Sequence, residues 1–90
     1  MAIYKGQDFR LNYDTGISLA GATVLKLLYT KPGGSKGEWS ATAAGTVIYY
    51  DVPASENNYS GLWEFQAYVV VGGKQWFGGI ISKLIYDNIK

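Results

Sequence analysis

The segment Gly61–Val71, Gly-Leu-Trp-Glu-Phe-Gln-Ala-Tyr-Val-Val-Val, constrains the fold more than any other part of the chain. One parity is wholly apolar (Trp63, Phe65, Ala67, Val69, Val71), while the other carries Leu62, Glu64, Gln66, Tyr68 and Val70. A period of two is a strand with one face on a core and the other toward water. Gly72-Gly73-Lys74 ends the run as a tight turn, since glycine supplies the positive φ that primed hairpin turns require. Gln75 to Tyr86 reads as the returning strand, with Trp76, Ile80 and Leu84 on one face and Phe77, Ile81 and Ile85 on the other. Gly78-Gly79 inside it marks a bulge, a bend or a close backbone approach.

The remaining segments follow the same period. Phe9, Leu11 and Tyr13 alternate with Arg10, Asn12 and Asp14, a half-buried strand. Thr23 to Thr30 fits a strand or a helix from Leu19 to Tyr29; Gly21, the β-branched Thr23-Val24 and the Pro32-Gly33-Gly34 stop favour the strand. Glu38–Ala43 and Thr46–Val52 form a second hairpin turned at Ala44-Gly45, and 53–60 is a long polar loop. The sum is about six to seven short strands with turn signals roughly every 8 to 14 residues, the pattern of an all-β sandwich or barrel. A two-sheet Greek-key sandwich suits the length. Residues 1–90 are read as one domain, with 1–5 an N-terminal arm and 87–90 a C-terminal tail.

Composition narrows the chemistry. The chain has no Cys, hence no disulfide framework and no thiolate nucleophile or ligand. It has no His, which removes the usual general base near neutral pH and the commonest transition-metal ligand. A net charge of +1 offers no footprint for nucleic acid or an anionic membrane, and the lysines (Lys5, Lys26, Lys31, Lys36, Lys74, Lys83) are scattered singly. Apolar runs fall far short of the ~20 residues of a membrane span, and no signal peptide is visible. The expectation is a soluble chain made in a cytoplasm, and Met1 suggests a complete small reading frame.

The acids Asp8, Asp14, Glu38, Asp51, Glu56, Glu64 and Asp87 each sit beside polar or turn residues, as solvated faces and turn caps do. No pair stands out as the two carboxylates of a glycosidase. Gly33-Gly34-Ser35-Lys36-Gly37 runs into a strand rather than a helix, so it is a connection and not a phosphate cradle. Asp51, Glu56, Asn57 and Asn58 offer hard oxygen ligands for calcium, but their spacing matches no EF-hand and such residues are ordinary in turns. No catalytic residue, cofactor or metal is assigned, and the chain is read as non-enzymatic.

Aromatic residues are the strongest compositional feature. Trp39, Trp63, Trp76, Phe9, Phe65 and Phe77 read as mostly core by parity. The 8 Tyr are too many to be buried entirely. Adjacent Tyr49 and Tyr50 point to opposite sheet faces, so at least one lines the core. Exposed tyrosines suit protein contact or sugar stacking, which keeps a carbohydrate-binding module as an alternative function.

Four segments in order carry a resemblance: Gly6-Gln7-Asp8-Phe9-Arg10-Leu11; Leu19-Ala20-Gly21-Ala22-Thr23 leading to Leu27-Leu28-Tyr29-Thr30-Lys31-Pro32-Gly33-Gly34; Gly37-Glu38-Trp39-Ser40-Ala41-Thr42; and Gly61-Leu62-Trp63-Glu64-Phe65-Gln66-Ala67-Tyr68-Val69. Their sequence resembles small immunoglobulin-like β-sandwich proteins of tailed bacteriophages, and is similar to the N-terminal domain of phage baseplate upper proteins. The resemblance implies a single immunoglobulin-like antiparallel sandwich and a virion structural or assembly role as a protein–protein interaction module. The tail or baseplate is the expected place, with capsid decoration or a head fibre as the alternative. It supplies no catalytic residues. The implied location is the virion, after synthesis in the host bacterial cytoplasm. The implied partners are other phage structural proteins or copies of this chain, with no nucleic acid and no membrane. The chain lacks the long C-terminal extension by which a baseplate upper protein bridges to its receptor-binding partner, which favours an accessory or adaptor part.

Sandwich edges expose unpaired amides that invite strand addition, and Val69–Val71 and Ile80-Ile81 lie in segments with few charges. The candidate interaction residues are therefore Val70 and Ile81 at edges, Ile3, Tyr4 and Tyr86 at the chain ends, and Tyr49, Tyr50 and Tyr59 among the surplus tyrosines.

Overall fold

The computed structural model describes residues 2–89. Strands and no helix occur among the described residues: β1 (Ile3–Tyr4), β2 (Phe9–Asp14), β3 (Ala22–Thr30), β4 (Lys36–Ser40), β5 (Thr42–Ala44), β6 (Val47–Val52), β7 (Gly61–Val71), β8 (Lys74–Phe77) and β9 (Ile81–Tyr86). The larger sheet runs β1-β9-β7-β3-β4 with β8 beside β7, and the smaller sheet runs β2-β6-β5. Their inner faces meet in an all-β sandwich. Leu11, Tyr13, Ile48 and Val52 come from the smaller sheet; Leu27, Trp39, Trp63, Phe65, Ala67, Val69 and Ile85 come from the larger. The apolar parity of β7 is the middle of that core, and Ala22–Thr30 is a strand because Leu27 sits between Ala67 and Trp39 on the same face.

The strands are more numerous and shorter than the sequence suggests, for two reasons. The expected second hairpin changes sheets. Ser40 pairs with Lys26 in the larger sheet, Ala41 still donates to the Leu25 carbonyl at 2.9 Å, and Thr42 already pairs with Tyr49 in the smaller. The hairpin that remains is β5–β6, closed at Gly45-Thr46. The expected returning strand is also broken. β8 covers one half of β7 and β9 the other, with residues 78–80 between them.

That break corrects two assignments. Trp76 opposes Val69, and Ile81 opposes Phe65, so both face the core although their parities differ. The irregular step at Gly78-Gly79-Ile80 shifts the alternation by one. Ile80 and Leu84 therefore do not share a face with Trp76, and Phe77, expected in the core, points outward and is exposed.

The step is fixed from across the sandwich. Tyr13 of β2 reaches over the core and donates its hydroxyl to the Gly79 carbonyl at 2.6 Å. A Cβ on Gly78 would stand 2.7 Å from Cζ and 2.9 Å from Cε1 of that ring. Glycine is therefore required at Gly78 by a close approach. At Gly72-Gly73 the requirement is conformational, with φ of 60° and 74° closing the β7–β8 hairpin as a primed turn.

The chain ends are not a free arm and tail. β1 pairs in parallel with β9, Ile3 beside Ile85 and Tyr4 beside Tyr86, so the sandwich is not wholly antiparallel. Lys5 donates its amide to the Tyr86 carbonyl at 2.7 Å and its ammonium lies 3.3 Å from Asp87, while the Asn88 side chain donates to the Lys5 carbonyl. Met1 and Lys90 of the expected arm and tail lie outside the described residues.

Candidate interaction face

Alternation places Leu62, Glu64, Gln66, Tyr68 and Val70 of β7 on the outer face of the larger sheet. Strand register assembles their neighbours. Leu62 lies beside Leu84, and Tyr4 beside Tyr86 with ring centroids 5.7 Å apart. Leu62 is 57% exposed, Leu84 49%, and Tyr4 and Tyr86 46% each. These four form an apolar patch at one end of the face. Toward the other end, Ile80 (63% exposed) and Phe77 make a ridge, with Tyr68 packed 4.8 Å from the Phe77 ring. Between them lies a shallow groove of about 480 Å³ lined by Leu28, Thr30, Lys36, Glu38, Glu64 and Ile80, among others.

The candidate residues separate into those the fold uses and those it leaves outside. Tyr4 and Tyr86 come together on this face. Val70 lies on it too, half-buried, but β7 is hydrogen-bonded on both sides, so Val70 is not at an edge. Strand order is set by nonlocal pairing that residue composition does not encode. Ile3 and Ile81 pack against the core. Tyr50 stacks on Trp39 at 4.9 Å inside the sandwich, and Tyr49 on the opposite face lies under the Arg10 guanidinium at 4.3 Å. Tyr59 is held at the sandwich end, where the Lys31 ammonium lies 5.1 to 5.7 Å from the rings of Tyr29, Tyr59 and Trp63 and bonds Asn58 at 2.9 Å. Leu62, Leu84 and Ile80 join this face; the outward parity of Leu62 is readable in the sequence, whereas the placement of Leu84 and Ile80 depends on the break at 78–80.

Two residues of the polar loop, Glu56 and Asn57, turn inward. Glu56 accepts hydrogen bonds from Trp39 Nε1 at 3.0 Å and from the Tyr50 hydroxyl at 2.8 Å. The carboxylate stabilises the neutral phenol and raises the Tyr50 pKa. Asn57 is fully buried and donates to the Tyr4 and Gln7 carbonyls, both at 2.9 Å. Asp51 is held by Arg10 in a two-pronged pair at 2.6 and 3.1 Å, which lowers its pKa. No cluster of three or more residues suited to a metal ion occurs among the described residues.

Of the 7 acids, six have partners within the chain. The Glu64 carboxylate, on the groove floor, makes no hydrogen bond or ion pair among the described residues. No protein-family model and no curated protein sequence matches the chain.

Proposed function

We propose that this chain is a non-enzymatic virion structural or assembly protein of a tailed phage, acting as a protein–protein interaction module in the tail or baseplate. Two supports stand behind the reading. The order of the four sequence segments supplies the phage assignment, and the two-sheet sandwich is compatible with it. The observation that carries the interaction role is the outer patch of Leu62, Leu84, Tyr4 and Tyr86, each about half exposed on a regular sheet. Apolar side chains gathered on one exposed face, with aromatics among them, suit a contact surface.

Mass spectrometry of purified particles from the encoding phage or prophage, with copy number scaled to the capsid and tail-tube proteins, tests the reading. A few to a few dozen copies are expected. In a phage carrying L62S/L84S, incorporation should fall by about tenfold or more while the protein stays folded, because about half the patch's apolar side-chain surface is lost. Absence of the wild-type chain from particles refutes the virion role. Unchanged incorporation of the double variant refutes the patch as its contact.

A further inference from the structure

The groove beside this patch carries two exposed charges of opposite sign, Glu64 and Lys36. Glu64 on β7 and Lys36 on β4 both oppose Thr30 of the intervening β3, so the three lie in one row across the outer face. Strands spaced about 4.8 Å apart place the Glu64 and Lys36 Cα atoms roughly 10 Å apart, and the two side chains do not pair with each other across Thr30. Neither side chain takes part in an ion pair or hydrogen bond among the described residues, whereas Lys26 and Glu38 on the same face pair at 2.9 Å.

We infer that a second copy of the chain docks on this face about a two-fold axis running along β3. Such an axis in the plane between two facing sheets exchanges left and right of β3. Glu64 then meets Lys36 of the partner subunit, and Lys36 meets Glu64 of the partner subunit, in the same operation. Each Lys36 side chain descends into the groove of the other copy, whose floor is Glu64 and whose wall is Ile80. Leu28, Thr30 and Lys26 lie on the axis and meet their own equivalents; the lysines bring no net repulsion because each is neutralised by its Glu38. Ile80 of each copy overhangs the open edge of the other's β4, covering unpaired amides. The apolar patch of Leu62, Leu84, Tyr4 and Tyr86 lies beyond the last row of this footprint and stays free for another partner.

Rows from Val24 to Thr30 across four strand positions cover roughly 400–500 Å² per copy at standard strand rise and spacing. That is the low end of specific interfaces and points to a weak dimer. The inference rests on the interaction-module reading and names one partner for it.

Sedimentation equilibrium of the full chain from about 10 μM to about 1 mM tests it, with circular dichroism confirming the fold of every variant. The wild type should dimerise. E64K alone and K36E alone each place like charges in contact twice and should weaken self-association by about tenfold or more. The combined E64K/K36E exchange should restore it. An equimolar mixture of the two single variants should form a heterodimer more stable than either homodimer, since both charge contacts are then complementary. A wild type that stays monomeric throughout overturns the inference, as does a dimer indifferent to the exchanges or one that the double exchange does not rescue. A monomeric wild type whose incorporation into particles still depends on Leu62 and Leu84 would remove the self-pairing alone. A dimer that is absent from particles would remove the virion role and leave the self-pairing intact.

Discussion

Replacing Gly78 by alanine probes the contact that joins the two sheets at the point where β8 gives way to β9. The new Cβ would lie 2.7 Å from Cζ and 2.9 Å from Cε1 of Tyr13, and nearer still to the hydroxyl oxygen. The ring has little freedom to yield. It is 8% exposed, belongs to the core cluster, and its hydroxyl is anchored on the Gly79 carbonyl at 2.6 Å. Overpacking of this kind costs about 1–3 kcal/mol. If the ring shifts, the hydrogen bond adds roughly 0.5–1.5 kcal/mol. We expect G78A to destabilise by about 2–4 kcal/mol, measured by urea unfolding followed through tryptophan fluorescence, with a Tm lower by on the order of 10–25 °C. The double-mutant cycle with Y13L decides the mechanism. Once the ring is gone, adding the methyl should cost less than about 1 kcal/mol, a coupling far above the ~0.5 kcal/mol scatter of independent sites. Additive effects of G78A and Y13L would refute the steric account and assign the cost to the backbone.

Two further perturbations test the polar arrangements. E56A removes the acceptor of both Trp39 Nε1 and the Tyr50 hydroxyl and should cost about 2–4 kcal/mol, with E56Q about half as costly because one acceptor oxygen remains; a loss below ~0.5 kcal/mol would show that water replaces the carboxylate. Because Glu56 raises the Tyr50 pKa, the stability it contributes is fully present below the ordinary value of 10.0 and is lost as pH rises through the raised native value. D51A breaks the exposed pair with Arg10. The Asp51 pKa is lowered in the native state, so the stability gap between wild type and D51A should be full above the ordinary 3.8 and close as pH falls through the lowered native value. A gap that persists unchanged to pH ~2 would contradict the ion-pair assignment.

The legible parts of the fold are those fixed by local alternation. Gly61–Val71 reads correctly at every position because a strand buried on one face cannot shift by one residue without exposing Trp63 and Phe65. Gly72-Gly73 is equally plain, since two successive positive φ angles leave few other residue choices. Gly78-Gly79 announced an irregularity but not its consequence, because whether alternation resumes in phase depends on what lies opposite. Here Tyr13, 65 positions earlier in sequence than Gly78, sets it. Ala41 gives no sign of the sheet change, as its two neighbours simply find different partners. Of the contact candidates, Tyr4 and Tyr86 share the outer face because β1 pairs with β9, and Val70 lies between two hydrogen-bonded strands because strand order is a nonlocal property. Glu56 and Asn57 look like solvent-facing loop residues in sequence, and only the packed structure shows Glu56 holding Trp39 and Tyr50 and Asn57 holding the Tyr4 and Gln7 carbonyls.

The inside and outside of the larger sheet therefore carry different burdens, and variants should separate them. With no Cys for a staple, a domain of 90 residues relies on its packed interior, and here that interior is an aromatic stack. Tyr29 lies 4.3 Å from Trp39, and Trp39 and Trp63 lie 6.1 and 6.0 Å from Phe65. Glu56 and Lys31 close its polar margins. The outer face contributes little to this, since Leu62 and Leu84 stay half exposed and Glu64 and Lys36 touch no opposite charge. Exposed substitutions of that kind usually change stability by less than about 0.5 kcal/mol. E64K, K36E and L62S/L84S should accordingly unfold near the wild-type midpoint while losing self-association or incorporation. E56A should do the reverse, lowering the midpoint while the folded fraction associates normally. If the outer-face variants lost stability and association in parallel, the face would be a structural wall, and its exposed leucines and unpaired charges would need another explanation.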